Sequence, residues 1–273
     1  MLPGVIASGS VRVRDEFIDI TVPGWAWPAT IGVIVALLLF DILILNRHEH
    51  APTLRRAAAE TIAWIAIGVT FGIVVIASFG RTAGGEWFSG YLIEYSLSID
   101  NVFVWALILA YFKVPAKYQR RVLFWGVFGA LVLRAGFIFA GVALIARFEW
   151  MLFIFGGFLL YTAGKLLLSN DDAVDPSKSR FLAVVHRFVP TTTELHGHNM
   201  FVRVDGKRFA TPLFAVLLLV EATDVLFAVD SVPAVLAVSK EQFIVFTSNA
   251  FAIMGLRSLY FMLADMHARF SYL

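Results

Sequence analysis

The sequence predicts an all-α polytopic membrane protein with about seven transmembrane helices. Of its 273 residues, 59% are hydrophobic and only 15% are charged, and the mean hydropathy is +0.80. A helix needs about 20 apolar residues to cross the hydrocarbon core of a bilayer. Seven segments have roughly this length, at 25–45, 58–79, 87–112, 122–146, 150–168, 213–238 and 243–263. This composition excludes a soluble domain.

The positive charges predict how these helices are oriented. The first apolar segment is too long for a cleaved signal peptide, and no small-residue cleavage site follows it. Successive loops carry 3, 1, 4, 1, 6 and 1 Lys and Arg residues. Because cytoplasmic loops carry the excess of Lys and Arg, these counts predict the orientation of a multi-pass membrane protein. Its N-terminal segment, 1–24, would lie outside, and the loop at 169–212 would be cytoplasmic.

The long polar loop contains one structural signal. FVRVDGKRF (201–209) places Asp-Gly between two short alternating runs, a pattern typical of a β-hairpin with a type I′ turn. We interpret it as a small cytoplasmic cap and not as a second domain. The chain has no cysteine, which excludes disulfides and thiolate metal sites. It also has no catalytic or nucleic-acid-binding motif, so we expect neither an enzyme nor a nucleic-acid partner.

Two parts of the chain resemble each other. SIDNVFVWAL (98–107) matches ATDVLFAVDS (222–231), LRAGF (133–137) matches LRSLY (256–260), and RFEWML (147–152) matches RFSYL (269–273), at offsets of 124, 123 and 122. Three crossings separate the copies, so the repeat is inverted, as in many secondary transporters with a site near the membrane midplane. The alternative is that any two apolar helices look alike.

The repeat divides the chain into parts. Two helices in 25–86 precede a first repeat of three helices at 87–168, and the second repeat occupies 213–273. The segment at 150–168 has no counterpart after RFSYL. We therefore expect that the second repeat lacks its last helix and that the chain is truncated.

Five carboxylates lie inside the third and sixth apolar segments, namely Glu94, Asp100, Glu221, Asp224 and Asp230. A charged side chain at the bilayer centre costs roughly 2.5–3.5 kcal/mol, so these charges need compensation. Arg134 and Arg257 are predicted to be structural counter-ions for two of them. The remaining three negative charges suit one divalent cation and one proton.

The spacing of these residues predicts an oxygen-lined metal site. Glu221 and Asp224 share a helical face, and Pro233 is expected to break the helix at 229–233 and turn Asp230 and Ser231 inward. Oxygen ligands suit hard cations such as Mn²⁺, Mg²⁺ or Ca²⁺. The predicted ligands are Glu94, Asp100, Asn101, Glu221, Asp224 and Asp230, with Asp41 and Ser231 as further candidates.

Several of these residues also have simpler interpretations. Glu94 lies near the outer end of its helix and could be interfacial. Asp100 and Asp224 could serve only as partners of the arginines, and Asn101 could simply bridge two helices. Asp41, near the inner end of the first helix, could reach the membrane surface.

The motifs resemble a known family. EYSLSIDNVFV (94–104) and VEATDVLFAVDSVPA (220–234) are similar to the two signature stretches of the TerC family of integral membrane proteins, and the similarity extends from about residue 30 onward. The resemblance implies a LysE-like inverted three-helix repeat. It places the acidic residues of the family on Glu94, Asp100, Glu221, Asp224 and Asp230. Family members also continue through further helices after the region that matches Leu273.

The resemblance implies a protein of the bacterial inner membrane that exports Mn²⁺. The family was named for tellurium resistance, and several bacterial members export manganese; proton antiport would reset a carboxylate site. No cofactor would be permanently bound, and the partners would be the lipid bilayer and the transported cation. The alternative is an assembly or metal-loading factor without transport of its own, whose partners would be exported or membrane proteins. Handling of an oxyanion fits poorly, because the interior charge surplus is negative.

Overall fold

The computed structural model describes residues 20–45, 53–148, 150–168, 199–204 and 207–270, and helices account for nearly all of them. Five helical segments in this described part are long and apolar enough to cross a membrane, namely Ala26–Leu43, Leu54–Tyr111, Ala116–Arg147, Pro212–Leu236 and Gln242–Met266. The predicted all-α membrane class is therefore confirmed. The helices are α1 (Ala26–Phe40), α2 (Leu54–Tyr111), α3 (Ala116–Arg147), α4 (Met151–Leu168), α5 (Pro212–Leu236), α6 (Gln242–Met254) and α7 (Leu256–Phe270).

The longest helix, α2, is a hairpin of two helices. Gly80 has φ 90° and ψ 175° inside an otherwise helical run, a conformation that glycine adopts without the steric cost of a side chain. It divides α2 into α2a (54–79) and α2b (81–111). The sequence predicted a connection over 80–86, but the chain turns at one residue and the helix resumes directly afterwards.

Close contacts show that α2a and α2b run antiparallel. A methyl group on Gly72 would lie 2.5 Å from the ring of Phe88, and one on Gly68 would lie 2.8 Å from the ring of Tyr91. The pairs 72/88 and 68/91 are spaced about equally on either side of the turn. Each half has enough residues to span about 30 Å of hydrocarbon.

Two apolar clusters lie on either side of a polar layer. Along each of α2b, α3 and α5, a buried apolar residue before the polar positions belongs to one cluster, and a buried apolar residue after them belongs to the other. One cluster includes Tyr91, Ile138 and Ala228, and the other includes Val102, Ala130 and Val220. The polar residues between them are therefore shielded at both ends of the bundle.

Two local irregularities bear on the site. The chain continues from α1 into a π-helical turn, Asp41–Leu45. The run formed by α6 and α7 is interrupted at Gly255, where a methyl group would lie 3.1 Å from the Cβ of Trp64. Two charged residues, Asp41 and Arg257, therefore lie next to points where the regular helix stops.

The predicted hairpin is present as an antiparallel pair of strands, β1 (Phe201–Val204) and β2 (Lys207–Ala210). Val204 pairs with Lys207, so a two-residue connection joins the strands. The connection itself, and with it the predicted turn type, lies outside the described residues. So do the N-terminal segment 1–19 and most of the predicted cytoplasmic loop.

Candidate functional site

Arg134 on α3 lies at the centre of a buried polar cluster. Its Nη2 and Nε donate to Oδ1 and Oδ2 of Asp224 on α5, at 2.9 and 3.2 Å. Its Nη1 contacts Oε1 of Glu94 on α2b. Arg134 and Asp224 are 1% exposed and Glu94 is 0% exposed. One guanidinium therefore bridges two carboxylates that come from the two predicted repeats.

Hydroxyl and amide groups complete the cluster. Ser98 Oγ donates to Glu94 Oε1 at 3.1 Å, and Asn249 Nδ2, on α6, donates to Glu94 Oε2 at 2.8 Å. Asn101 Nδ2 lies 3.4 Å from Asp224 Oδ1, while its buried Oδ1 has no hydrogen-bond partner among the described residues. The cluster thus holds an amide oxygen that no donor in the described part of the chain uses.

Sequence reasoning missed two members of this cluster. Ser98 follows Glu94 by four residues and so shares its helical face, which is a signal that could have found it. Asn249 is an amide within the apolar segment FIVFTSNAF, where a polar side chain needs a partner. Its partner Glu94 lies on a different helix, and nothing in the spacing of the sequence indicates that pairing.

The charges of the cluster do not balance. Among the described residues two carboxylates face one guanidinium, so the ionised cluster they form carries one surplus negative charge. Burial makes such a surplus costly unless a further cation or a proton compensates it. The arrangement is therefore suited to taking up positive charge.

Glu221 lies beside this cluster and not within it. It is half-buried on α5, one turn before Asp224, and it faces Gly129 of α3. A methyl group on Gly129 would lie 2.1 Å from Glu221 Oε1, so the glycine makes room for the carboxylate. The other oxygen, Oε2, is buried without a hydrogen-bond partner in the described part of the chain.

The predicted break in α5 is wrong. The helix continues through Pro233 to Leu236, because a proline this close to the C-terminal end removes only the hydrogen bond to Val229. Ser231 is buried within the continuous helix. Asp230 is half-buried and lies next to Thr162 of α4, so the structure does not bring it to Arg134.

Asp100 occupies the exposed face of α2b. The buried face carries Glu94, Ser98, Asn101 and Trp105 at helical spacing, and Asp100 points away from it. The structure therefore brings Glu94, Asn101 and Asp224 together and leaves Asp100 outside the cluster.

The other predicted counter-ion, Arg257 on α7, has a different partner. Its Nη2 contacts Asp41 Oδ1, which comes from the π-helical turn after α1. Both residues are buried. The two predicted counter-ions thus form two separate buried ion-pair clusters, one between the repeats and one with α1.

No group of three or more carboxylate or histidine side chains that could hold a metal ion occurs among the described residues. What the Arg134 cluster offers is two carboxylates from different helices, a serine hydroxyl and the amide oxygen of Asn101. A cation that displaced the guanidinium would meet oxygen ligands only, which suits a hard ion.

Comparisons with known proteins identify relatives of the chain. The family model described as "Integral membrane protein TerC family" matches residues 79–273. The chain is 44% identical over 259 residues to an uncharacterized membrane protein, STKORF319, of Myxococcus xanthus, covering 95% of this chain and 81% of that protein. It is 43% identical over 256 residues to Alx of Escherichia coli (strain K12), which is provisionally named a membrane-bound redox modulator, covering 90% and 80%. No solved structure matches the chain.

Proposed function

Because the chain belongs to the TerC family of integral membrane proteins, we propose that it exports Mn²⁺ from the cytoplasm through the Arg134 cluster. The observation that carries the proposal is that Glu94 and Asp224, from the two predicted repeats, share one guanidinium within the membrane helices. Inverted-repeat transporters bind their cargo at such an interface near the midplane. The choice of Mn²⁺ and the outward direction rest on the family resemblance of the two acidic motifs.

In the proposed cycle Arg134 occupies the cation position when no cargo is bound. An entering Mn²⁺ replaces the guanidinium between Glu94 and Asp224, so that two positive charges meet two negative ones. Asn101 Oδ1 and Ser98 Oγ supply further oxygen ligands, of the kind that Mn²⁺ accepts. Cargo and guanidinium compete for the same carboxylates, so release of one favours binding of the other.

The surplus negative charge gives the proposal its coupling ion. After Mn²⁺ leaves, Arg134 can neutralise only one of the two carboxylates, and a proton can neutralise the other. Proton antiport is therefore part of the proposal. An inward proton gradient should accelerate Mn²⁺ export, and collapsing the gradient should slow it.

The test is uptake of radiolabelled Mn²⁺ into inside-out membrane vesicles that contain the chain. Asp224→Asn and Glu94→Gln should each lower the initial rate at least about tenfold, because loss of a group that supports a metal site typically costs 10–100-fold. Asp100→Asn is the matched comparison, since it removes a carboxylate from the exposed face of the same bundle, and it should retain more of the rate. Uptake by Asp224→Asn at the rate of the parent would refute the proposed site.

The same vesicles and cells separate the alternatives. The name of the relative Alx suggests a redox role, but this chain has no cysteine and cannot carry thiol–disulfide exchange on its own side chains. Unchanged cellular manganese together with defective exported proteins would favour an assembly factor. Unchanged manganese together with an altered thiol redox state would favour redox modulation.

A further inference from the structure

A second charged cluster lies where α1 ends and α2a begins. It combines residues from four helical elements with exposures that fall toward the interior. The side chains of Arg56 and Glu60 are 45% and 12% exposed, and those of Asp41 and Arg257 are 8% and 5% exposed. We call this the entrance cluster; it consists of Asp41, Arg56, Glu60, Arg120 and Arg257.

The charges of the entrance cluster alternate in sign. Arg56 Nε donates to Glu60 Oε1 at 3.0 Å, and Arg257 Nη2 contacts Asp41 Oδ1. Arg120, which is buried at the start of α3, interacts electrostatically with both pairs. The cluster therefore comprises two ion pairs and a further guanidinium, and its side-chain exposures range from 45% at Arg56 to 5% at Arg257.

Both partners of the innermost pair lie at interruptions of regular helix. Asp41 begins the π-helical turn, and Arg257 follows the interruption at Gly255 by two residues. π-Helical turns are frequent at functional sites, and broken helices line the cargo sites of transporters. Arg257 Nη1 is buried and has no hydrogen-bond partner among the described residues. The guanidinium is therefore held mainly by one carboxylate, which a competing cation could take.

One helical run, formed by α6 and α7, connects the entrance cluster to the Arg134 cluster. Arg257 lies eight residues beyond Asn249 along α6 and α7, about 12 Å at the rise of a helix. Asn249 binds Glu94 directly. The connection from α2b into α3 at this end carries four Lys and Arg residues within 113–121, which predicts that the end faces the cytoplasm.

We propose that Asp41 and Glu60 form the cytoplasmic entrance for the divalent cation, and that Arg257 closes this entrance by binding Asp41. The inference rests on the proposed export function. An arriving cation takes the Asp41 carboxylate from Arg257, the guanidinium moves away, and the route toward Asn249 and Glu94 opens. Arg257 then returns to Asp41 and closes the entrance behind the cargo.

The test uses the absence of cysteine in the chain. Ala57, on α2a beside Glu60, is 0% exposed, so an Ala57→Cys reporter should react slowly with a membrane-impermeant maleimide added to inside-out vesicles. Adding Asp41→Asn removes the charge that holds Arg257 and should raise the labelling rate at least about tenfold. A tenfold rise needs a change of only about 1.4 kcal/mol in the free energy of opening. Adding Mn²⁺ to the reporter chain should also raise it. A Thr53→Cys reporter at an exposed position controls for reagent access.

A second variant distinguishes a gate from a structural tie. Replacing the pair by apolar residues, Asp41→Leu with Arg257→Met, should keep the helices packed and the Ala57→Cys reporter protected. The proposal expects this variant to lose Mn²⁺ uptake, whereas a purely structural ion pair would leave uptake intact.

The outcomes separate this inference from the function on which it rests. Unchanged labelling in Asp41→Asn, with uptake by the parent, would refute the entrance alone. Faster labelling in Asp41→Asn, with no Mn²⁺ uptake by the parent, would refute the proposed cargo and support closure by Arg257. Full uptake by the apolar pair would refute the entrance as well.

Discussion

Replacing Arg134 with glutamine should destabilise the folded chain strongly. The change removes the guanidinium that contacts Glu94 and Asp224, whose side chains are 0% and 1% exposed. Removing one partner of a buried ion pair costs about 3–5 kcal/mol. In a chain of this size each kcal/mol lowers the melting temperature by about 2–4 °C, so Arg134→Gln should lower it by roughly 6–20 °C.

The assay is thermal unfolding of the purified protein in detergent, followed by the fluorescence of its tryptophans. Arg147→Gln is the matched control, because Arg147 is exposed in the last turn of the same helix; it should change stability by no more than about 0.5 kcal/mol. Asp224→Asn completes a double-mutant cycle. Because Arg134 and Asp224 form a bidentate contact, the double variant should cost less than the sum of the single ones by at least about 1 kcal/mol.

Two results would refute this reasoning. A melting temperature for Arg134→Gln equal to that of Arg147→Gln would mean that the guanidinium does not compensate buried charge. Strict additivity in the cycle would mean that Arg134 and Asp224 do not interact, whatever each contributes alone.

Two further predictions test the helical hairpin and the amide of the cluster. Gly72→Ala should destabilise the chain by about 1–3 kcal/mol, because the added methyl meets an aromatic ring of α2b at 2.5 Å. Its control, Gly85→Ala, has nothing within 4 Å of the added methyl and should be neutral or stabilising. Equal melting temperatures for the two variants would argue against the hairpin. Asn249→Ala removes the donor to Glu94 and should lower Mn²⁺ uptake. The control, Ser248→Ala, removes only a hydroxyl bonded to its own helix and should lower uptake less. Equal uptake by the two variants would argue against a supporting role for Asn249.

Sequence patterns were sufficient for the parts of the fold that hydropathy determines. Apolar segments of membrane length predicted the helices, and Asp-Gly between alternating runs predicted the strand pair. The reversal was predicted as a connection over 80–86 and not as a single-residue turn at Gly80, because hydropathy falls over 80–86 although the helix resumes there. Its signals were Gly80 itself and the small residues at 68 and 72 that allow the two halves to approach closely.

The site was predicted in composition more than in geometry. The cost of inserting a charge into the membrane indicated that the acids need compensation and that the two arginines could provide it. Asp224 does bind Arg134. The same cost could not tell which face of α2b is buried, so Asp100 was grouped with Glu94 although it lies on the opposite side. Asn249 was missed because the search followed charge, and the residue that completes the hydrogen bonding of Glu94 is neutral.

The two buried arginines, Arg134 and Arg257, bind acids from different parts of the chain. Arg134 and Arg257 hold equivalent positions in the predicted repeat, and Arg134 pairs with an acid of the opposite copy, Asp224. By the same relation, Arg257 would pair with Asp100 of the first copy. Asp100 is exposed, however, and Arg257 pairs with Asp41 instead. A buried guanidinium needs a buried acid, and the first repeat turns its equivalent acid outward. Helix α1, which belongs to neither copy, is therefore part of the charge balance that keeps α7 in place.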